Sequence, residues 1–404
     1  MSLQDAGNAD IIVAGHICLD IIPTMHAAGP GQGIGELLVP GKLVDIGAAR
    51  LSTGGAVSNT GIALHRLGLS VALKGKIGAD LFGEAIVSLL QEHGPSLADR
   101  MIVSPEETSS YSLVISPPGV DRIFLHCTGA NDTFSAADVP AASMNGAKLL
   151  HFGYPPLMRR MYEQEGAELE RVLAEAKRQG LTVSLDMARP DPQSAAGQAD
   201  WTAILARVLP HVDVFLPSFE EILYMLRPDR YRELTELHGT AELLGYASGP
   251  LLSSLSEELL RMGAGVVALK LGEHGLYART TDVADRLRNM GACAPNGEDR
   301  ISNWLDRELL APCFQVEVAG TTGAGDCTIA GFLAGLVQGL PIEDTLIGAV
   351  GVGACNVERT DAVSGIPSWE TVQSRIASGW AMHRTKLALP GWEENAKLRI
   401  WESV

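Results

Sequence analysis

Basic residues are scarce in this chain. Its 404 residues include 31 Lys and Arg against 48 Asp and Glu, which gives a formal net charge of −17. The electrostatic field of such a negatively charged protein repels nucleic acid and anionic membrane surfaces, so we expect neither as a partner. Long apolar runs are missing as well. The apolar run at 327–337 is far shorter than the roughly 20 residues that a membrane-spanning helix needs, so we expect no membrane span.

Cysteines are few and lie far apart, with no CxxC pair among them. This pattern favours buried thiols in a reducing compartment over a disulfide framework or a zinc site, and we expect a cytoplasmic protein. The six cysteines are Cys18, Cys127, Cys293, Cys313, Cys327 and Cys355.

The composition is that of a globular protein with a large core, since 46% of the residues are hydrophobic and 20% are charged. From residue 148 to 226, short apolar runs of strand type alternate with segments of helical periodicity. This alternation predicts an α/β fold, a three-layer α/β/α sandwich with a mostly parallel central sheet. We expect one domain over 1–404, with surface insertions at about 227–262 and 280–313.

A glycine-rich stretch leads into the apolar run near the end of the chain. Gly323, Ala324 and Gly325 open the predicted helix, and Asp326 lies in its first turn. The first N–H groups of a helix are unpaired and the helix dipole is positive there, so this stretch predicts a cradle for a phosphate. A P-loop would continue with Lys, whereas here Asp326 and Cys327 follow. The Asp326 carboxylate could be a general base that takes a proton from an attacking hydroxyl. Alternatively, Asp326 is an ordinary acidic residue in the first turn of a helix.

A second group of small and polar residues lies near the start of the chain. Gly54 and Gly55 precede a predicted helix and let backbone pass close to a ligand, and Asn59 offers both a donor and an acceptor. The alternative is a helix start with polar residues near its cap. Asp20 follows the first strand and could accept hydrogen bonds from two sugar hydroxyls, or it could be a turn aspartate.

Four blocks, in this order, resemble the signatures of the ribokinase-like (PfkB) family of carbohydrate and nucleoside kinases. They read GGAVSNT at 54–60, KIGADLFG at 76–83, VALKLGEHG at 267–275 and GTTGAGDCTIAG at 320–331. The resemblance covers roughly residues 10–375. It implies a ribokinase-like fold with a small β-sheet lid and ATP-dependent phosphorylation of a hydroxyl on a small sugar or sugar-like substrate, with Mg²⁺.

The resemblance also implies where the lid and the catalytic groups lie. The lid would be formed by about 19–53 and 101–127, and a homodimer through the lid is expected. Asp326 matches the family's catalytic base, and its anion hole is matched by Gly323, Ala324 and Gly325. The positions that match sugar-binding residues are Asp20, Gly54, Gly55 and Asn59, with Asn131 in the segment that returns from the lid.

The nucleotide side follows from the same resemblance. The positions that match it are Lys270, Gly272, Gly275 and Thr322. Glu221 matches a family glutamate that is tied to Mg²⁺ and phosphate, whereas Ser218 stands where relatives have Asn, so Glu221 is an indirect metal candidate.

One further departure concerns the monovalent cation. Gly320 replaces the usual Asp before the anion hole, and that Asp helps to hold the cation in many relatives. The K⁺ requirement of those relatives is therefore in doubt for this chain. Asp361 could compensate for the missing charge.

Two alternatives stay open at this stage. One is a nucleoside kinase of the same family, and the other is a non-catalytic sugar or nucleotide sensor on the same fold. The departures at Gly320 and Ser218 favour the sensor, whereas the intact Asp326 and anion hole favour an enzyme. The residues do not identify the sugar or the hydroxyl that is phosphorylated.

Overall fold

A computed structural model describes residues 9–25, 39–116 and 123–403, together with Gly35. Within these residues, β-strands are distributed from one end to the other. Most are short, and those of the first half are mainly apolar. In chain order they are β1 Ile11–Gly15, β2 Cys18–Pro23, β3 Ala49–Gly54, β4 Val71–Lys74, β5 Lys76–Gly78, β6 Ile102–Ser104, β7 Tyr111–Ile115, β8 Ile123–Cys127, β9 Leu149–Gly153, β10 Thr182–Leu185, β11 Val214–Phe215, β12 Val266–Lys270, β13 Leu276–Thr280, β14 Glu308–Ala311, β15 Trp392–Asn395 and β16 Ile400–Ser403.

Ten of these strands form one large sheet, in the order β15-β16-β14-β13-β12-β11-β10-β9-β1-β4. The six strands from β12 to β4 in this order pair in parallel, for example with Ile11 opposite Leu149, and the strands from β12 to β15 pair antiparallel. The parallel part places the carboxyl ends of its strands along one edge, which is where α/β proteins bind their ligands.

The helices cover both faces of the large sheet. Those of the described residues are α1 Ala56–Arg66, α2 Leu81–His93, α3 Arg159–Tyr162, α4 Ala167–Arg178, α5 Trp201–Val208, α6 Phe219–Leu226, α7 Pro228–His238, α8 Gly249–Arg261, α9 Ala284–Arg288, α10 Glu298–Trp304, α11 Ala324–Val337, α12 Ile342–Val357 and α13 Trp369–Ala377, with short 3₁₀ helices between them.

Two hydrophobic cores lie on opposite faces of the sheet. Along β1, Ile11 and Val13 belong to the core built with α1, α11 and α12, whereas Ile12 and Ala14 belong to the core built with α4 to α8. Successive side chains of a strand point to opposite faces, so a strand that is apolar at every position must be covered on both. The predicted three-layer sandwich is confirmed.

A separate four-stranded sheet has the order β3-β2-β7-β8. Its strands come from the two segments predicted to form the lid, 19–53 and 101–127, although 26–34, 36–38 and 117–122 lie outside the described residues. We call it the small sheet. That it acts as a lid stays a prediction.

The structure corrects the predicted surface insertions. Within 227–262, α8 packs a fully buried row of leucines against the large sheet, and within 280–313, β14 is a strand of that sheet with Leu309 and Leu310 buried. Strand β14 has only four residues, too few to show the alternation of a strand, whereas the apolar face of the 13-residue helix α8 is interrupted by Ser and Glu in the sequence. Helices α9 and α10 do lie at the polar surface.

No helix within the described residues is both long and apolar enough to cross a bilayer. All six cysteines lie in the described part of the chain and none of them forms a disulfide bond, as the sequence predicted.

Candidate active site

Helix α11 begins at the predicted anion cradle. Gly323 is its N-cap residue and has φ 72°, a left-handed conformation that favours glycine. The N–H of Ala324 bonds to the Thr321 carbonyl at 3.3 Å, so the next N–H groups, those of Gly325 and Asp326, are first-turn donors of the helix. The positive end of the helix dipole and these donors suit an anion.

Asp326 lies in the first turn of α11 and is only 4% exposed. Both of its carboxylate oxygens are fixed: Oδ2 accepts a hydrogen bond from Asn59 Nδ2 at 2.9 Å, and Oδ1 accepts one from the Tyr154 hydroxyl at 2.8 Å. Burial raises the pKa of Asp326, while the bonds from Asn59 and Tyr154 act against that rise. The arrangement orients a carboxylate and raises its basicity, as a general base requires.

Tyr154 holds the other side of this carboxylate and has an unusual backbone. It follows β9 with φ 64°, a left-handed conformation that is uncommon outside glycine. Burial, and then the charge of Asp326, raise the pKa of Tyr154 well above its usual value, so its hydroxyl keeps the proton that it donates. Backbone outliers of this kind occur often at functional sites.

Most residues predicted to hold the acceptor substrate are brought together where the small sheet meets α1. A Cβ on Gly54 would lie 2.5 Å from the Asp20 carboxylate, and one on Gly55 would lie 2.5 Å from His16 Nδ1. These glycines therefore leave space for the two side chains. Asn59 lies one turn into α1 and connects this group to Asp326.

Asn131 has a different position. Its amide bonds to the N–H of Ile17 at 3.2 Å, to the Ile17 carbonyl at 2.9 Å and to the Thr128 carbonyl at 3.0 Å. The side chain is fully buried. It joins the chain leaving β8 to the segment between β1 and β2, and substrate binding by Asn131 stays a prediction.

A cavity of about 680 Å³ opens on the other side of Asp326. Its polar wall includes residues 323–326 together with Lys270, Gly272 and Gly275, the positions that the resemblance assigns to the nucleotide side. Thr321 lines it, whereas Thr322 does not, and the role of Thr322 stays a prediction. The apolar wall includes Phe314, Val316, Val350, Ala354 and Val357, and it suits a flat aromatic base.

A buried charge cluster borders this cavity, and two of its members, Lys270 and Glu221, line the cavity wall. Lys270 Nζ bonds to Asp186 Oδ1 at 2.5 Å, and the Asp186 side chain is fully buried at the end of β10. Burial lowers the pKa of Lys270, but the charges of Asp186 and Glu221 outweigh it and raise that pKa, so Lys270 stays charged. Burial raises the pKa of Asp186 and of Glu221 despite the nearby Lys270.

The donor set of this cluster fits Mg²⁺. Asp186 Oδ2 is buried and has no hydrogen-bond partner, while Glu221 Oε2 accepts from the Ser218 N–H at 2.7 Å. Carboxylate oxygens are the ligands that Mg²⁺ prefers, usually with waters between. Ser218 caps α6 and Glu221 completes its capping box, so Ser218 does structural work that an Asn could also do.

Gly320 lies against backbone. A Cβ at this position would be 2.9 Å from Thr360 Cα and 3.0 Å from the Arg359 carbonyl oxygen. The Asp361 carboxylate accepts hydrogen bonds from the N–H of Val363 at 3.1 Å and of Ser364 at 2.7 Å. It therefore closes a local turn, and a role of Asp361 towards a cation stays a prediction.

Two groups of this site were missed by the sequence predictions. Asp186 ends a predicted parallel strand, and the convergence of such strand ends was a signal that could have found it. Tyr154 also follows a predicted strand. No pattern in the sequence, however, shows that its hydroxyl reaches Asp326, 172 positions away.

Sequence comparison finds a family model and characterised relatives that match most of the chain. The family model described as pfkB family carbohydrate kinase matches residues 9–369. The 2-dehydro-3-deoxygluconokinase of Bacillus subtilis is 24% identical over 362 residues, which are 86% of this chain and 93% of that protein. The nucleoside kinase of Methanothermobacter thermautotrophicus is 23% identical, over 92% of this chain and 96% of its own length.

Solved structures match the fold. The structure of Arabidopsis thaliana ribokinase complexed with ribose and ATP aligns with a TM-score of 0.64 at 17% identity, over 91% of this chain and 98% of that one. At this level of identity the match concerns the fold, and it agrees with a large, mostly parallel sheet beside a small mixed one.

Proposed function

Because the chain belongs to the pfkB family of carbohydrate kinases, we propose that it transfers the γ-phosphoryl group of ATP to a hydroxyl of a sugar or sugar-like substrate, with Asp326 as the base. One observation carries this proposal: Asp326 is fixed through both oxygens at the N-terminus of α11, between the cavity and the group around Asp20 and Asn59. An oriented acid beside an anion cradle is what phosphoryl transfer to an alcohol needs.

Proton transfer falls to Asp326. A carboxylate has about four lone-pair sites, and the bonds from Asn59 and Tyr154 use two of them, so a substrate hydroxyl can still donate to it. The carboxylate takes the hydroxyl proton as the oxygen attacks the γ-phosphorus, and the bond to the ADP oxygen breaks. Its raised pKa favours this transfer.

Charge on the transferring group is balanced by fixed groups of the chain. The first-turn N–H groups of α11 point at the place where that charge develops, and they need no reorganisation during the reaction. Lys270 lies on the same cavity wall and contributes a buried positive charge. Asp186 and Glu221 would hold Mg²⁺, through water, and the ion when bound neutralises phosphate charge.

The small sheet is proposed as the lid. It carries Asp20 over the acceptor side of Asp326, and closure would exclude water that could otherwise attack ATP. Its edge strand β8 exposes Ile123, Phe124 and Leu125. An exposed apolar edge strand readily pairs with another chain, which supports a homodimer through the lid. A cytoplasmic location stays a prediction based on the unpaired cysteines.

The acceptor is a sugar or, as the second candidate, a nucleoside. The nucleoside candidate is favoured by the similarity to the nucleoside kinase of Methanothermobacter thermautotrophicus over 92% of this chain. An ADP-release assay over pentoses, hexoses, keto-deoxy acids, inositols and nucleosides, with and without K⁺, tests the proposal. We expect release above the ATPase background with one class, lost in Asp326→Asn, and no dependence on K⁺.

The same assay tests the remaining alternative. Binding of a sugar without ADP release across the whole panel would reject the kinase proposal and favour a sensor. Thermal stabilisation by each compound, measured with and without ATP, separates a protein that binds without turnover from one for which the panel lacks the substrate.

A further inference from the structure

Three potential metal ligands meet beside the acceptor side of the site. A donor nitrogen of His16, the sulfur of Cys18 and a donor nitrogen of His126 all lie within 4.8 Å of one another. The chemistry proposed above uses none of these three side chains. Cys18 and His126 are 108 positions apart, so the cluster exists only because of the fold.

The small sheet brings these side chains to one face. Asp20 pairs with Ser112, and Ser112 pairs with His126, so the three lie in a row across strands β2, β7 and β8. Cys18 lies two residues before Asp20 and therefore points to the same face. His16 lies between β1 and β2, and its backbone N–H donates a hydrogen bond to the Gly153 carbonyl at 3.1 Å.

The distances suit a tetrahedral ion. His16 Nε2 and His126 Nε2 are 3.3 Å apart. Two nitrogens bound to zinc at its usual bond length in a tetrahedron are separated by about 3.4 Å. Imidazole nitrogens with a thiolate form a ligand set that zinc prefers, and three protein ligands leave a fourth position open.

The surroundings complete the site. Ser112 Oγ lies 3.0 Å from His126 Nδ1, and this hydrogen bond leaves His126 Nε2 directed at the cluster. Metal-bound histidines commonly form such a hydrogen bond with the ring nitrogen that does not bind the metal. The Cys18 thiol donates to Asp20 Oδ1 at 3.4 Å. His16 and Cys18 are buried, whereas His126 is exposed and gives an ion a way in.

We propose that His16, Cys18 and His126 bind one zinc-class divalent cation where the small sheet meets the large one. On binding, the Cys18 thiol loses its proton to solvent and its thiolate bonds to the ion. The spread of the cysteines along the sequence argued against a zinc site, but it gives no information about a site that one cysteine forms with two distant histidines.

The ion has a consequence that depends on the proposed function. It would join β2 and β8 to the segment after β1 and hold the small sheet in place. It would also lie next to Asp20, which is proposed to bind the hydroxyls of the acceptor. Zinc should therefore inhibit phosphoryl transfer, in competition with the acceptor.

Calorimetric titration of Zn²⁺ into the full-length protein, without any substrate, tests the site itself. We expect one ion per chain, and with Co²⁺ an absorption band for charge transfer from the thiolate. Cys18→Ser and His126→Ala should each weaken binding by more than about 100-fold, because loss of an outer-shell partner alone costs about 10–100-fold. Ser112→Ala should fall in that smaller range.

Cys127→Ser is the matched control, because Cys127 follows His126 on the same strand and points to the other face. Thermal unfolding by circular dichroism confirms that each variant is folded. Absence of zinc binding in the wild type, wild-type affinity in Cys18→Ser, or an equal loss in Cys127→Ser would overturn the site. Zinc that binds without inhibiting phosphoryl transfer would overturn only the proposed competition with the acceptor. Because the zinc titration uses no substrate, it tests the metal site even if the kinase proposal fails.

Discussion

The two sheets of this protein differ in what their faces contact. The large sheet is covered on both faces, and buried, hydrogen-bonded groups such as Asp326 and Lys270 lie beside the ends of its strands. The small sheet has a polar face towards the acceptor side and an exposed apolar edge at Leu125. The groups proposed to transfer the phosphoryl group are therefore held by elements packed into the protein core. The groups proposed to select or block a substrate lie on a sheet with a largely solvent-exposed surface.

Electrostatics separates the two sheets in the same way. Around Asp326, burial raises the pKa of each buried acid, and Lys270 compensates part of the charge. The small sheet offers Asp20 beside a thiol and a histidine, a softer ligand set. If this division is correct, changes at the large sheet should lower turnover or stability, and changes at the edge of the small sheet should affect assembly alone.

The largest expected effect is that of Asp326→Asn. An amide cannot accept the hydroxyl proton, so kcat should fall by roughly 10²–10⁴-fold, with little change in the KM for ATP. Steady-state ADP release and a thermal unfolding curve measure the two effects. Turnover within a few fold of wild type would mean that Asp326 is only a helix-start acid and that the large sheet does not hold the base.

Next is Gly320→Asp, which restores the residue that relatives usually have. The added Cβ meets the backbone of 359–360, so the free energy of unfolding should fall by about 1–3 kcal/mol, as overpacking does. Urea unfolding measures it, and Gly245→Asp, where a Cβ has open space, is the control. A stable Gly320→Asp variant that becomes K⁺-dependent would contradict the close packing described here.

Much of the fold and the anion cradle could be predicted from the sequence, because both depend on local patterns. Apolar runs predicted β1 and β9, and the glycines before Asp326 predicted the start of α11. The partners of Asp326 could be predicted only in part: Asn59 lies in a recognised block, whereas Tyr154 is placed by one unusual backbone conformation. Contacts between distant segments leave no periodic trace.

The cluster on the small sheet shows the same limit. Cys18, Ser112 and His126 become neighbours through strand pairing, and the residues next to each of them in the sequence do not reveal the pairing register. The strand β14 was missed for a related reason, since four residues carry too little alternation to separate a strand from a surface segment.

Tyr154→Phe should have an intermediate effect. The hydrogen bond from Tyr154 lowers the pKa of Asp326 against the rise caused by burial, so its loss moves that pKa further up. A base works only when deprotonated, so the acid limb of kcat/KM should shift to higher pH. On that acid limb, kcat/KM should be roughly 10–100-fold below that of the wild type, because a hydrogen bond to a charged group contributes about 1.5–3 kcal/mol.

A pH profile with a matched control decides this prediction. Tyr224→Phe loses a bond from its hydroxyl to the Gly197 carbonyl, away from Asp326, and its profile should match that of the wild type. A Tyr154→Phe enzyme that is slower at every pH, with an unmoved acid limb, would show that Tyr154 supports the structure without tuning the base.

The smallest effect on turnover is expected at the edge of the small sheet. Leu125→Lys places a charge on the exposed strand β8, on the face opposite His126, so light scattering should show monomers where the wild type forms dimers. As a surface change it should alter the free energy of unfolding by no more than about 0.5 kcal/mol and leave kcat nearly unchanged. Leu237→Lys, another exposed leucine, is the control and should stay dimeric. A wild type that is monomeric in solution would contradict the proposed homodimer. A monomeric Leu125→Lys variant with strongly reduced kcat would mean that the active site needs the partner subunit to be complete. The two sheets could then not be treated as separate in function.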